Sequence, residues 1–206
     1  NVIPRTLIPA LLLALWGLTA CDRTENLPVE EVAQTPTAEP GLEADYRAPE
    51  LAALQTAENL KAACDAEVAA LEADVSRLES FPGTPTVEGY LEPLNAMQVS
   101  LSNMYYASSV LASVHPDEAV RDAGDACSQA LTPVQSDYSL SRPIYERVAA
   151  VDVSAADPGT QRFVEKQLQD FRLAGVDRDD ATRARIKELQ DEMTRVGQQF
   201  DRNIND

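Results

Sequence analysis

Residues 60–80 read LKAACDAEVAALEADVSRLES, and their apolar side chains return every three or four residues. The apolar positions are Leu60, Cys64, Val68, Leu71, Val75 and Leu78. Steps of this size place the side chains along one face of an α-helix, because a helical turn holds about 3.6 residues. Charged and small residues fill most of the other positions, as on the solvated face of a surface helix. The stretch therefore predicts an amphipathic helix from about Glu50 to Ser80.

The same spacing continues down the chain and predicts five further helices. The second helix should have its N-cap at Thr84 before Pro85 and end near Val114. A turn at 115–117 should lead into a third helix, which Pro133 ends or kinks. Two helices should start at Ser141 and Asp157, the later one with a left-handed stop at Gly175, and a last helix should start at about Asp179. No stretch alternates apolar and polar residues for long enough to predict a strand. The sequence thus predicts an all-α fold, an antiparallel helical bundle over residues 50–206.

Two different segments precede the predicted bundle. Residues 1–20 carry one charge, Arg5, followed by LIPALLLALWGLTA. This apolar run is shorter than the roughly 20 residues that span a bilayer and is typical of an export signal. Residues 21–49 contain four prolines, at positions 28, 36, 40 and 49, with acidic residues and few large apolar side chains. Such a segment buries too little surface to fold, so we expect an acidic, disordered tether.

The signal ends in LTAC at residues 18–21, which resembles the lipobox of bacterial lipoproteins. In signals of that kind the cysteine becomes the acylated N-terminus, so the resemblance makes Cys21 a lipid anchor. The protein would then be held on a bacterial membrane in the cell envelope and face the periplasm or the exterior. An ordinary signal, or a buried helix with a chance cysteine, is the alternative.

Charge excludes nucleic acid as a partner. The chain has 34 acidic and 17 basic residues, which gives a formal net charge of −17. A polyanion is repelled by such a surface, and no basic stripe with interleaved aromatic residues occurs.

Cys64 and Cys127 form a candidate disulfide. If the first three helices run up, down and up, with turns near residues 83 and 115, residue 64 on the first helix lies at the same height along the bundle as about residue 128 on the third. Exported proteins reach compartments where disulfides persist. The alternative is a pair of buried thiols that pack as small apolar residues.

No catalytic, cofactor-binding or metal-ligating residue can be assigned in this chain. A zinc peptidase groups its ligands, commonly two histidines four residues apart, whereas His115 is the single histidine and lies in a turn. The nucleophile motif G-x-S-x-G, a phosphate-binding loop and C-x-x-C do not occur. Met104, Tyr105 and Tyr106 could line a peptide-binding surface or could serve core packing.

The stretch at 167–206, QLQDFRLAGVDRDDATRARIKELQDEMTRVGQQFDRNIND, resembles the N-terminal helical region of the thimet oligopeptidase, oligopeptidase A and peptidyl-dipeptidase family of zinc metallopeptidases. Upstream, HPDEAVRDAGDACSQAL at 115–131 and RPIYERV at 142–148 are similar to the family in order and spacing. Arg178 departs from the family, many of whose members have an apolar residue there. The lipobox and tether are absent from cytosolic members, which implies an exported branch.

The resemblance implies a function that this chain does not carry alone. Members of the family hydrolyse short peptides with zinc bound by H-E-x-x-H and a later glutamate, all downstream of the matching region and absent here. By resemblance, residues 50–206 form a non-catalytic wall of the substrate channel, inactive alone, in a membrane-anchored zinc oligopeptidase. The apolar stripe from Ile186 to Ile204 still repeats at the last residues without a stop signal, so we expect it to lack part of its cover. The alternative is a complete small helical lipoprotein that acts as an interaction or scaffold module.

Overall fold

The computed structural model describes residues 43–205, and over this range it contains six α-helices and no strand. The helices are α1 (Ala57–Glu79), α2 (Glu92–Val114), α3 (Glu118–Ser139), α4 (Arg142–Ala150), α5 (Pro158–Ala174) and α6 (Asp180–Asn205). The predicted all-α fold is therefore confirmed. The predicted signal peptide, the anchor Cys21 and the tether up to residue 42 lie outside the described residues.

The core lies between α1, α2 and α3. Contacts at two heights fix the direction of each pair of helices. Cys64 bonds to Cys127 and Glu79 accepts a hydrogen bond from Ser141, just after α3. Gln98 bonds to Tyr138, and Ser108 bonds to Ser128. Helix α2 is thus antiparallel to α3, and α1 is parallel to α3, as in an up-down-up bundle. The predicted apolar stripe of α1 is buried except at Val68, which is partly buried. Burying each large apolar side chain stabilises the fold by about 1.5–3 kcal/mol, so this stripe determines which face α1 turns toward the core.

Several helix ends follow the expected chemistry. The Ser141 hydroxyl accepts the N–H of Ile144 and begins α4, and the Asp157 carboxylate accepts the N–H groups of Gly159 and Thr160 at the start of α5. Gly175 ends α5 with a φ of 102°, a left-handed conformation that favours glycine. These three predictions are confirmed.

Two predicted helix starts are wrong. Residues 51–54 form a separate 3-10 turn, and α1 begins only at Ala57, after the side chain of Thr56 accepts the N–H of Asn59. The second helix is not capped by Thr84. Thr86 accepts the N–H of Gly89, and one π-helical turn over Val87–Leu91 leads into α2. Pro85 is buried, so this proline lies in the core before the helix begins.

Pro133 does not end α3, which continues to Ser139. Proline lacks the N–H that would bond to the carbonyl four residues earlier. Pro133 is exposed, so water can solvate the carbonyl group left without that partner. The helix then continues because Val134 and Tyr138 beyond the proline are buried in the core.

Residues 43–49, here called the strap, extend the ordered domain beyond its predicted start at residue 50. The strap has no regular secondary structure, yet its Arg47 bonds to side chains of α1 and α2. At the other end of the chain, α6 packs along α3. Within residues 43–205, no helix combines the length and the apolar character needed to cross a membrane.

Candidate docking surface

Polar side chains hold α6 on α3. The Ser136 hydroxyl donates to Gln190 Oε1 at 2.5 Å, and the hydroxyls of Thr132 and Thr194 share a hydrogen bond of 3.2 Å. Ion pairs, Lys187 with Asp137 and Arg202 with Asp125, join the same two helices nearer their ends. These pairs run in opposite directions along the two helices, so α6 is antiparallel to α3.

Past Ile186, which is half-buried beside Gly175, the apolar side chains of α6 are exposed. Their exposed fractions are 41% for Leu189, 73% for Met193, 54% for Val196, 63% for Phe200 and 66% for Ile204. Leaving such side chains in water forgoes about 1.5–3 kcal/mol each. A row of them on one helix face is typical of a surface that another protein segment covers. The expectation of an incompletely covered stripe is thus met by the structure.

The outer face of α2 is unusual in a chain this acidic. Helix α2 has one charged residue, Glu92, in its 23 positions. Tyr105, Tyr106 and Val110 are exposed on it, and the two tyrosine rings meet edge to face with centroids 5.8 Å apart. Met104 is buried in the core, so of the three residues considered from the sequence only the tyrosines are at the surface.

A groove of about 240 Å³ lies over α3 and is lined by residues of α2, α3 and α6. Tyr105 and Met193 contribute its apolar side chains, and its other lining residues are uncharged and polar: Thr132, Gln135, Ser136, Ser139, Gln190 and Thr194. Hydroxyl and amide groups can donate to and accept from a peptide backbone. We call this groove, with the exposed apolar side chains of α2 and α6, the docking surface.

A larger cleft of about 520 Å³ between α1, α3, α4 and α6 is a joint between helices. Its cations are all used in contacts within the chain. Arg142 donates to the carbonyl groups of Val176 and Arg178, Arg183 donates to the carbonyl of Leu140, and Lys187 pairs with Asp137. Each of these three cations is thus bonded within the chain, although the buried Nε of Arg183 has no partner among residues 43–205, and this favours a contact between helices over a site for an anionic ligand.

The aspartates with perturbed pKa values serve as helix or turn caps or, for Asp180, in an ion pair within the first turn of α6. The pKa values of Asp157 and Asp179 are lowered chiefly by the hydroxyls of Thr160 and Thr182, and that of Asp180 by the Arg183 side chain. The pKa of Asp152 is lowered in the same way by hydrogen bonds from Ser154. Each partner is two or three residues ahead, as in capping, and this explains the shifts without a catalytic role.

Burial raises the pKa of two core tyrosines, Tyr90 and Tyr138. The Tyr90 hydroxyl donates to the Leu78 carbonyl at 3.2 Å, and the Tyr138 hydroxyl donates to Gln167 Oε1 at 2.6 Å. Both phenols therefore stay protonated and tie helices together.

Among residues 43–205, no group of three or more His, Cys, Asp or Glu side chains is arranged to hold a metal ion. His115 caps its turn, because its Nδ1 accepts the N–H of Asp117 at 3.1 Å. The position of His115 in a turn, noted from the sequence, is thus where the structure has it.

Cys64 on α1 and Cys127 on α3 are joined by a disulfide in the structure, with Cα atoms 5.7 Å apart. Both side chains are buried in the core. Their bonded state in solution stays a prediction, which thiol mapping tests.

Sequence reasoning missed the partners of Arg47, which lie 20 to 56 residues away. The run without charged residues in α2 was a signal that could have identified the docking surface.

The chain matches a known family over most of its helical part. Residues 57–183 match the family described as neurolysin/thimet oligopeptidase, N-terminal domain. Saccharolysin of Saccharomyces cerevisiae is 27% identical over 136 residues, which are 63% of this chain and 18% of the relative. The organellar oligopeptidase A of Arabidopsis thaliana is 26% identical over 140 residues, 66% of this chain and 18% of that protein. Because the family match covers more than half of the chain, the protein belongs to the neurolysin/thimet oligopeptidase family and carries its N-terminal domain.

Proposed function

We propose that this chain is the non-catalytic N-terminal part of a membrane-anchored, zinc-dependent oligopeptidase of the cell envelope, and that it forms part of the wall through which short peptides reach the catalytic site. The observation that carries the proposal is the exposed apolar face of α6. Helix α6 is seated on α3, yet its large apolar side chains lie in water, which favours a further polypeptide surface over them.

The size of the relatives supports a proposal for the polypeptide that covers this face. The matched region spans 18% of the length of either relative, so a protein of their kind has several hundred further residues. The description of the family and the name of organellar oligopeptidase A both specify an oligopeptidase. We assign the exposed apolar side chains of α6 outside the groove to contact with the catalytic part of such an enzyme, and the groove itself stays open to peptides.

Zinc would be held outside this chain. Residues 43–205 offer no group of ligands for it, so its role in activating water for peptide hydrolysis belongs to the proposed catalytic part. The contribution of this chain would be binding and positioning. The groove beside Tyr105 and Met193 is lined by uncharged hydroxyl and amide groups, which can bond to a peptide backbone without selecting its side chains. Such a wall suits an enzyme that accepts many short peptides.

The proposed location rests on the cysteines. A lipid on Cys21 would hold the protein at a bacterial membrane, on the periplasmic or exterior side. The disulfide between Cys64 and Cys127 supports this side of the membrane, because such bonds persist in oxidising compartments.

Reading the coding DNA beyond the codon for Asp206 is the direct test. We expect an open frame that encodes H-E-x-x-H and a later glutamate. A stop codon at that point would overturn the enzyme proposal and favour a small lipoprotein that binds a partner through the docking surface.

The docking surface is tested by adding the full chain to the separately produced downstream part and measuring hydrolysis of a short fluorogenic peptide. We expect activity to appear on mixing. Phe200→Asp should raise the concentration needed for half-maximal activity at least tenfold, because a charge would enter an apolar contact. Leu173→Asp is the matched control, since Leu173 is an apolar residue on α5 that is at least as exposed as Phe200, and it should have no effect. Equal effects of the two substitutions would argue against the assigned surface.

A further inference from the structure

The strap is tied to α2 through its backbone. The N–H of Arg47 donates to Ser100 Oγ at 2.9 Å, and Asn103 Nδ2 donates to the carbonyl of Arg47 at 2.9 Å. The Ser100 hydroxyl also approaches the Asp45 carbonyl at 3.3 Å, and Asn95 Nδ2 donates to the Tyr46 hydroxyl at 3.2 Å. A segment without secondary structure thus has both its polar backbone groups and its side chains engaged.

The Arg47 side chain ties the same segment to α1. Its Nε donates to Glu67 at 2.9 Å and its Nη2 donates to Asp74 at 2.7 Å. The three side chains are only 21%, 16% and 9% exposed, respectively. Removing the arginine would leave the largely buried carboxylates of Glu67 and Asp74 with less positive charge beside them, which would destabilise the fold. Arg77 is the other cation on Asp74 and remains more than half exposed.

The strap lies beside exposed apolar side chains of α2. Asn103 binds the strap, and Tyr106 and Val110 follow it by three and seven positions, which places them on the same face of the helix. Tyr105, which lines the groove beside α6, is about 140° around the axis from Ser100, another residue of α2 that binds the strap.

We propose that the strap is a clasp, locked by Arg47, which fixes the point where the N-terminal segment joins the domain, beside the exposed apolar side chains of α2. The clasp rests on the contacts of Arg47 with α1 and α2 and does not depend on the proposed function.

The test is hydrogen–deuterium exchange of the peptide that covers residues 44–50, measured in the full chain. We expect slow exchange in the wild type and at least tenfold faster exchange in Arg47→Gln. Arg77→Gln is the matched control, because Arg77 pairs with the same Asp74 but makes no hydrogen bond or ion pair with residues 43–49. It should leave exchange of the strap within twofold of the wild type. Asn103→Ala removes one backbone tie of the strap and should also speed exchange.

Exchange at the rate of an unstructured peptide in the wild type would overturn the clasp, as would slow exchange retained in Arg47→Gln. Equal acceleration in both arginine variants would show that the charge balance of Asp74, not a clasp, sets the rate. The readout does not involve peptidase activity or the downstream part. Failure of the clasp therefore leaves the proposed function standing, and failure of the complementation test leaves the clasp standing.

Discussion

Gly124 is the residue that lets α2 and α3 approach closely. A Cβ atom there would lie 2.6 Å from the carbonyl oxygen of Ser108 and 2.9 Å from the amide nitrogen of Ala112. Both of those atoms belong to the backbone of α2, so they cannot move aside as a flexible side chain would. Glycine inside a helix costs about 0.5–1 kcal/mol relative to alanine. The close helix contact explains its use here.

We therefore expect Gly124→Ala to lower the free energy of unfolding by about 1–3 kcal/mol, the usual cost of overpacking a well-packed core. Urea denaturation followed by circular dichroism measures the change. Gly197→Ala on α6 is the matched control, because nothing lies within 4 Å of its Cβ position. It should raise the free energy of unfolding by up to about 1 kcal/mol, through helix propensity alone. A stabilising effect of Gly124→Ala would contradict the close packing.

Single residues show where sequence reasoning reached and where it stopped. Gly175 and Ser141 were predictable because a helix stop or cap depends on a few neighbouring residues. Arg47 was placed in a tether, because its carboxylate partners on α1 become neighbours only after the bundle has formed. The choice of Thr86 over Thr84 as a cap was missed for the same reason, since burial of Pro85 decides it.

At the scale of elements, α6 differs from the helices of the core. None of its described side chains is buried, and polar groups form its seat on α3. Helices α1 and α3 instead bury six and eight residues. Because local opening is easiest where few apolar contacts must break, α6 should open more often than either of them.

Limited trypsin digestion tests this difference, because all three helices carry cleavage sites. We expect cuts after Arg185 or Arg195 in α6 well before cuts after Lys61 in α1 or Arg121 in α3, as read by mass spectrometry. Adding the downstream part of the proposed enzyme should protect the α6 sites, since its cover would oppose opening. Digestion of α1 and α6 at the same rate would contradict the ranking.

The presence and order of the helices could be predicted because apolar spacing is a local signal that tertiary packing reinforces. The exposed stripe of α6 shows the limit of the same signal. Spacing predicted that Leu189, Met193 and Phe200 share a face, and they do. It cannot tell whether the residues that pack against that face come from this domain or from another polypeptide. Pro133 shows the converse, since burial of Val134 and Tyr138 outweighs a local helix-breaking signal.

At the scale of the whole molecule, one covalent link closes the bundle. The disulfide joins α1 to α3 across 63 positions of sequence, and the intervening segment contains all of α2. On the chain-entropy model, closing a loop of this length removes freedom mainly from the unfolded chain and stabilises the fold by about 4 kcal/mol. The bundle should therefore depend on the redox state of its surroundings.

We expect the double variant Cys64→Ala, Cys127→Ala to unfold at a lower urea concentration, with a free energy of unfolding about 4 kcal/mol below that of the wild type. Reducing agent should lower the wild type towards the variant and leave the variant unchanged, because only the wild type has the bond to lose. Alkylation of the unfolded, unreduced protein, mapped by mass spectrometry, identifies the bond directly: Cys64 and Cys127 should react only after reduction. Labelling of both residues without reductant would show two free thiols, and the link between redox state and stability would then fall with the bond.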